Sequence, residues 1–229
     1  MTRFAVLIAV ASLVSGCTSM VDSVMSGRSS PVEGRSNAGQ SLPNPPALRF
    51  AEQGARLEFR ASSNGQTIQR AYVAAAPDGV EGRLSAADGS TVRLVPGCWG
   101  CSSAQGFDEK EYATLWPLQI GKTVTFNMLL RNGAVARQSI IVAEAEPVTV
   151  GGVRYQAVVL RARVVSGIDG SRYRAERADW WVPEIGWIAR SLVRDTDGNL
   201  LQTELVSYQP PVEGLSDSGD VPVPSSASR

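Results

Sequence analysis

The amino-acid sequence holds 229 residues, 43% of them hydrophobic and 19% charged, with 22 basic and 22 acidic side chains and no histidine. That length supports one domain with flexible ends, or two small domains at most, and the even charge balance argues against non-specific nucleic-acid binding, which needs clustered positive charge. The missing histidines exclude Ser-His-Asp and Cys-His sites, histidine general bases and histidine metal ligands.

Arg3 precedes an uncharged apolar run over residues 4–14, which ends in Val14-Ser15-Gly16-Cys17. The run has the length of a signal-peptide core and is too short to span a membrane as a helix. Its ending resembles a bacterial lipobox, which implies cleavage after residue 16 and a lipidated Cys17 as the mature N-terminus. The membrane is then a partner through that lipid, and stable anchoring needs more than one acyl chain. Loss of Arg3 with the leader leaves 21 basic against 22 acidic side chains, so no polybasic patch assists the anchor. An exported chain also meets an oxidising compartment.

Residues 17–47 are rich in Ser, Gly, Pro and Asn and too poor in bulky apolar side chains to fold alone. They read as a tether with a coil span on the order of 30 Å. Residues 210–229 have the same composition and read as a disordered tail.

Residues 48–209 are written in strands. Leu57 and Phe59 mark the first clear strand, and Gly65 leads into a second over residues 66–74. Asp88-Gly89 separates residues 82–86 from 91–95, and one short helical turn is expected over residues 108–114. Val124, Phe126, Met128 and Leu130 alternate with polar residues, the period-2 signature of a half-buried strand. Further strands are expected over residues 135–145, 153–165, 172–182, 187–194 and 200–208. Asn132-Gly133, Gly151-Gly152, Asp169-Gly170, the 183–186 turn and Asp197-Gly198 join them. Connections this short leave no room for parallel crossovers. The expected fold is all-β, a curved antiparallel meander forming a half-closed or closed barrel or sandwich.

Leu115-Trp116-Pro117-Leu118-Gln119-Ile120-Gly121-Lys122-Thr123, then Val148 through Ala157, Trp180-Trp181-Val182-Pro183-Glu184-Ile185-Gly186-Trp187 and Glu204 through Tyr208 follow in order. This ordered set, over residues 112–208, resembles an uncharacterised family of bacterial envelope β domains and lipoproteins. The resemblance implies a β fold and an envelope address, and it transfers no catalytic residue. Thr18 stands where an Asp commonly retains lipoproteins at the inner membrane, so the resemblance implies a periplasm-facing anchor in the outer membrane.

Cys98-Trp99-Gly100-Cys101 is the sharpest local motif, and with Cys17 lipidated it holds the remaining two thiols. A structural disulfide is the favoured reading, and a redox-active pair is the alternative that the spacing leaves open. Two cysteines alone lack the ligands for a metal, so neither a metal nor another cofactor is expected. Gly121-Lys122-Thr123 looks like the end of a phosphate-binding loop, but a strand follows where that motif needs a helix. Glu144 with Glu146, or Asp179 with Glu184, are carboxylate pairs placed near strand ends, and no residue is assigned as catalytic.

Arg161 and Arg163 share one face of a strand, and Arg172 and Arg174 share one face of its hairpin partner, with Arg177 flipped. Together they offer a patch for an anionic sugar, lipid headgroup or peptide carboxylate. A solvated outer face balanced by Glu176 and Asp179 is the favoured alternative. Adjacent Trp180 and Trp181 must point to opposite faces, so one is core while the other, or Trp187, caps an edge or offers a stacking platform. The expected function is non-enzymatic: a lipid-anchored envelope lipoprotein binding a partner protein or an amphiphilic or glycan ligand. The competing class is a periplasmic enzyme, hydrolase or thiol redox, using carboxylates or the Cys98/Cys101 pair.

Cys17→Ser is expected to leave the leader uncut or to release the protein into the soluble fraction. Fractionation with mass measurement of the N-terminus checks this, and a correctly processed variant that still sediments with membranes contradicts it.

Overall fold

The computed structural model describes residues 42, 44–63, 65–168 and 171–211; the leader, Cys17, most of the tether and the tail lie outside the described residues. The first half holds β1 (Arg56–Ser63), β2 (Gln66–Asp78), β3 (Glu81–Ser85), β4 (Thr91–Leu94) and β5 (Gly106–Phe107), then the one-turn helix α1 (Glu109–Ala113). The second half holds β6 (Thr123–Leu129), β7 (Val135–Val150), β8 (Val153–Ile168), β9 (Ser171–Val182), β10 (Trp187–Asp195) and β11 (Leu200–Gln209).

All eleven strands form one antiparallel sheet in the order β4-β3-β2-β1-β11-β10-β9-β8-β7-β6-β5. The sheet curves and does not close into a barrel, because β4 and β5 end as separate edges. Register shifts interrupt four strand pairs, at Glu58/Phe59, Ala75/Asp78, Val142/Glu144 and Ile188/Arg190. Such bulges bend a strand and increase its local twist, which is how a sheet of this width acquires a concave side.

The turns form for local chemical reasons. Asp88 Oδ1 accepts from the Ser90 amide at 2.9 Å, Asn132 Oδ1 from the Ala134 amide at 3.2 Å, and Asp195 Oδ1 from the Asp197 and Asn199 amides at 3.0 and 2.9 Å. Each short side chain thus closes its own turn. Asp108 caps α1 by accepting from the Glu111 amide at 3.0 Å. The expected helical turn and the strands after it are present, with β7 longer than expected and β5 unforeseen. Asp169-Gly170 falls outside the described residues, but the pairing of Ile168 with Ser171 brackets it.

The core lies on the concave face of β6 to β10. Val124, Phe126 and Met128 are buried there, whereas Thr123 and Asn127 are exposed and Thr125 is half-buried. Leu130 continues that alternation in sequence but sits past the end of β6 and is only half-buried. Ile140 and Val142 of β7 pair with Ala162 and Leu160 of β8 on the same face. Tyr112, Leu115 and Leu118 from α1 and the turn after it are fully buried. The Tyr112 ring meets Phe126 edge-on at 5.8 Å.

A second cluster forms where the chain enters the sheet. Phe50 packs edge-on against Trp181 at 6.0 Å and Trp187 at 6.5 Å, and the Ala51 amide donates to the Gly186 carbonyl at 3.0 Å. Gly186 has φ +70° and a Cβ there would stand 2.6 Å from the Ala51 nitrogen, so both backbone angle and space require glycine.

Phe126→Ala is expected to cost about 3–5 kcal/mol, the range for emptying a buried aromatic site. Thr125→Ala loses only a 2.9 Å hydroxyl contact with Ser139, worth about 1 kcal/mol. Chemical denaturation of both variants tests the register, since a one-residue slip would reverse the two losses.

Candidate functional site

The connection from β4 to β5 lies against the concave face of the sheet and is held there by three inward-pointing polar side chains. Gln138 of β7 and Asp179 of β9 are fully buried, and the Arg177 side chain is 11% exposed. The Gly97 amide donates to Asp179 Oδ2 at 2.9 Å, and Gln138 Nε2 donates to the Gly97 carbonyl at 2.8 Å. The Trp99 amide donates to Gln138 Oε1 at 3.2 Å, and Arg177 Nη1 donates to the Cys98 carbonyl at 2.9 Å. Arg177 Nε completes the network with Asp179 Oδ1 at 2.7 Å. The Tyr112 hydroxyl adds a 3.0 Å bond to the Pro96 carbonyl, and burial pushes that phenol above its ordinary range.

Gly97 allows this close approach. Its φ is +71°, and an added Cβ would stand 3.2 Å from Ile140 Cγ2. Cys98 and Cys101 follow directly, both buried and paired with each other, their Cα atoms 5.8 Å apart. Met128 Sδ lies 3.6 and 3.4 Å from their sulfurs. The motif therefore sits against the core.

Trp99 stands between two cavities on the concave side. The front cavity, about 330 Å³, lies among β1 to β4 and β9 to β11. Ile68, Val92 and Leu201 line it while remaining 60%, 38% and 37% exposed, so it is an open apolar cleft rather than a sealed void. Its lining holds three arginines, Arg70, Arg93 and Arg177, and no carboxylate. The rear cavity, about 400 Å³, is lined by Met128, Leu130, Ala136 and Val164 with Ser166 and Tyr173. Arg93, Leu94, Trp99 and Arg177 line both. Both volumes fall in the range of small-molecule sites, about 300–1,000 Å³.

Of the arginines singled out in the sequence, Arg161, Arg163 and Arg174 lie apart from this cleft. Arg163 pairs in register with Glu176, Arg161 with Ala178 and Arg174 with Val165, so these residues occupy one face of the sheet; Arg172 pairs with Gly167, which gives its backbone the same place. Arg161 is bonded to Glu144 at 2.8 Å, and Arg163 and Arg174 are exposed. Asp179 does not balance them, because it points into the core from mid-strand rather than lying solvated at a strand end. The carboxylate pairs are committed elsewhere: Glu144 to Arg161, Glu146 to the Trp180 indole, and Asp179 to the loop, with Glu184 exposed in the β9–β10 turn.

Trp180 and Trp181 point to opposite faces, and both are buried. Trp181 packs against Phe50 and Trp116. Trp180 lies on the outer face, where the Arg190 guanidinium covers its ring at 4.9 Å. Trp187 is 4% exposed and forms part of the cleft wall. Gln138 and the cleft residues Ile68, Val92 and Leu201 were not singled out in the sequence, because each occupies an unremarkable alternating position in its strand.

No family model and no curated protein matches the chain. Among solved structures, the hypothetical lipoprotein YmcC from Escherichia coli (K12) is similar with a TM-score of 0.45 and 12% identity, over 67% of this chain and 85% of its own. A candidate exported protein with a YmcC-like fold from Bacteroides fragilis NCTC 9343 is similar with a TM-score of 0.41 and 12% identity, over 72% of this chain and 99% of its own.

Asp179→Ala leaves the Arg177 charge without its buried partner and is expected to cost about 3–5 kcal/mol. Glu176→Ala, at an exposed position three residues away, is expected to change stability by less than about 0.5 kcal/mol. Equal losses in denaturant titrations would contradict the loop-anchoring role.

Proposed function

We propose that this protein is a lipid-anchored envelope lipoprotein that binds an anionic amphiphile on the concave face of its sheet and performs no catalysis. The lipobox at Cys17 and the envelope-family motifs over residues 112–208 support the address, and Thr18 supports the outer membrane as its destination. The Cys98–Cys101 pair acts as a structural bridge: burial of both cysteines denies a redox partner the access that exchange requires.

The observation that carries the binding reading is the front cleft itself. A sheet face with nothing to bind normally covers its large apolar side chains, whereas Ile68, Val92 and Leu201 stay exposed around one cavity. The arginines set the sign of the ligand. The partners of Arg70 and Arg93, Asp88 and Glu81, lie outside the lining, and Asp179 is buried behind Arg177. An apolar chain carrying a phosphate or carboxylate fits such a wall, with the arginines as charge-assisted donors.

Displacement of an environment-sensitive apolar fluorophore by lysophosphatidylglycerol tests the reading. Binding is expected, with zwitterionic lysophosphatidylcholine weaker. Ile68→Asp, at an exposed position that leaves the core intact, is expected to weaken binding at least tenfold. No displacement, or displacement unaffected by Ile68→Asp, would overturn it.

A further inference from the structure

The front and rear cavities meet at Trp99, and their shared lining carries two arginines. Arg93 Nη1 lies 3.6 Å from Glu81, and Arg93 also donates through Nη2 to the Ser102 carbonyl. Arg177 is fixed by Asp179 and the Cys98 carbonyl. Cationic groups therefore stand at the junction of the two cavities. Apolar walls run away from that junction on both sides: Phe59, Ile68 and Leu201 in front, Met128, Ala136 and Val164 behind.

Trp99 is held as a divider at both ends. Its amide is bonded to Gln138, and its indole nitrogen donates to the Tyr173 hydroxyl at 3.3 Å. The flanking cysteines are paired and buried, so the backbone that carries the indole is fixed to the core. A single apolar chain uses one side of such a partition. A ligand with two chains and one anionic head uses both sides and the junction together.

We infer that the two cavities are one binding groove for a two-chain anionic amphiphile, with Trp99 separating the chains and Arg93 and Arg177 facing the head. This rests on the amphiphile-binding reading above and specifies its ligand class. The front cavity takes one chain, the rear cavity the other, and the rear cavity is what discriminates a two-chain from a one-chain ligand.

Water-soluble short-chain lipids separate amphiphile binding from a two-chain preference. Dioctanoyl phosphatidylglycerol is expected to bind the full mature chain at least tenfold more tightly than its mono-octanoyl lyso form. Ser166→Phe places a ring in the rear cavity from a buried position on the inner face of β8. It is expected to remove at least most of that tenfold difference. Ser103→Trp obstructs the same cavity from an exposed position, and serves the same purpose should Ser166→Phe not fold. Ala61→Phe in the front cavity is expected to weaken both lipids. Equal affinity of the two lipids, or a two-chain preference that survives a folded rear-cavity variant, would overturn the two-chain assignment while leaving the amphiphile reading standing. Failure of both lipids to bind the unmodified protein would overturn both.

Discussion

A single buried carboxylate determines how the concave face of this sheet is used. Asp179 accepts from the Gly97 amide through one oxygen and from Arg177 through the other, and Arg177 in turn holds the Cys98 carbonyl. Burying a charged pair costs several kcal/mol per ion, and it is tolerable only when the remaining polar atoms are satisfied. Here they are satisfied by backbone groups of one loop, so the cost of burial becomes a constraint on where that loop lies. Gln138 extends the constraint to the Gly97 carbonyl and the Trp99 amide.

The consequence is an unequal division of one sheet. Over β6 to β8 and the Asp179 end of β9 the concave face is covered by the loop, α1 and the buried side chains of Tyr112, Leu115 and Leu118. Over β1 to β4 nothing comparable among the described residues covers it, and β2 is exposed along most of its length. The open half is thus defined by what the anchored loop does not reach. The same loop stands between the two free edges: Arg93 of β4 bonds to the Ser102 carbonyl, and the Gln105 amide donates to the Leu129 carbonyl at 2.8 Å. Edge strands of four and two residues with an arginine beside them offer little template for pairing with another chain. The turn between β7 and β8 approaches β11, with an added Cβ at Gly151 3.8 Å from the Val206 carbonyl oxygen.

Alternation made much of the fold legible in the sequence. Val124, Phe126 and Met128 against Thr123, Thr125 and Asn127 fixed the face of β6, and Asx-Gly pairs marked most hairpins. The opposite placement of Trp180 and Trp181 followed from strand geometry alone. The two-residue β5 was not legible, because it is too short to show a period. The loop anchor was not legible either. Gln138, Arg177 and Asp179 are polar, and a pattern argument assigns polar residues in a half-buried strand to solvent; only the three-dimensional path of residues 96–99 gives them inward partners. The cleft was hidden for the converse reason. Ile68, Tyr72, Val92 and Leu201 read as ordinary core-facing positions, and no local feature indicates that their core is left unfilled.

Residue-resolved hydrogen exchange on the native protein tests the anchor most directly. The Gly97 and Trp99 amides bond only to side chains, so their protection reports the Asp179 and Gln138 contacts rather than a strand ladder. Both are expected to exchange as slowly as the amides of Ile140 and Leu160 in the buried strands. Exchange of Gly97 and Trp99 as fast as that of the exposed β6–β7 turn would show that the loop is not fixed to the sheet, and the division of the concave face would fall with it.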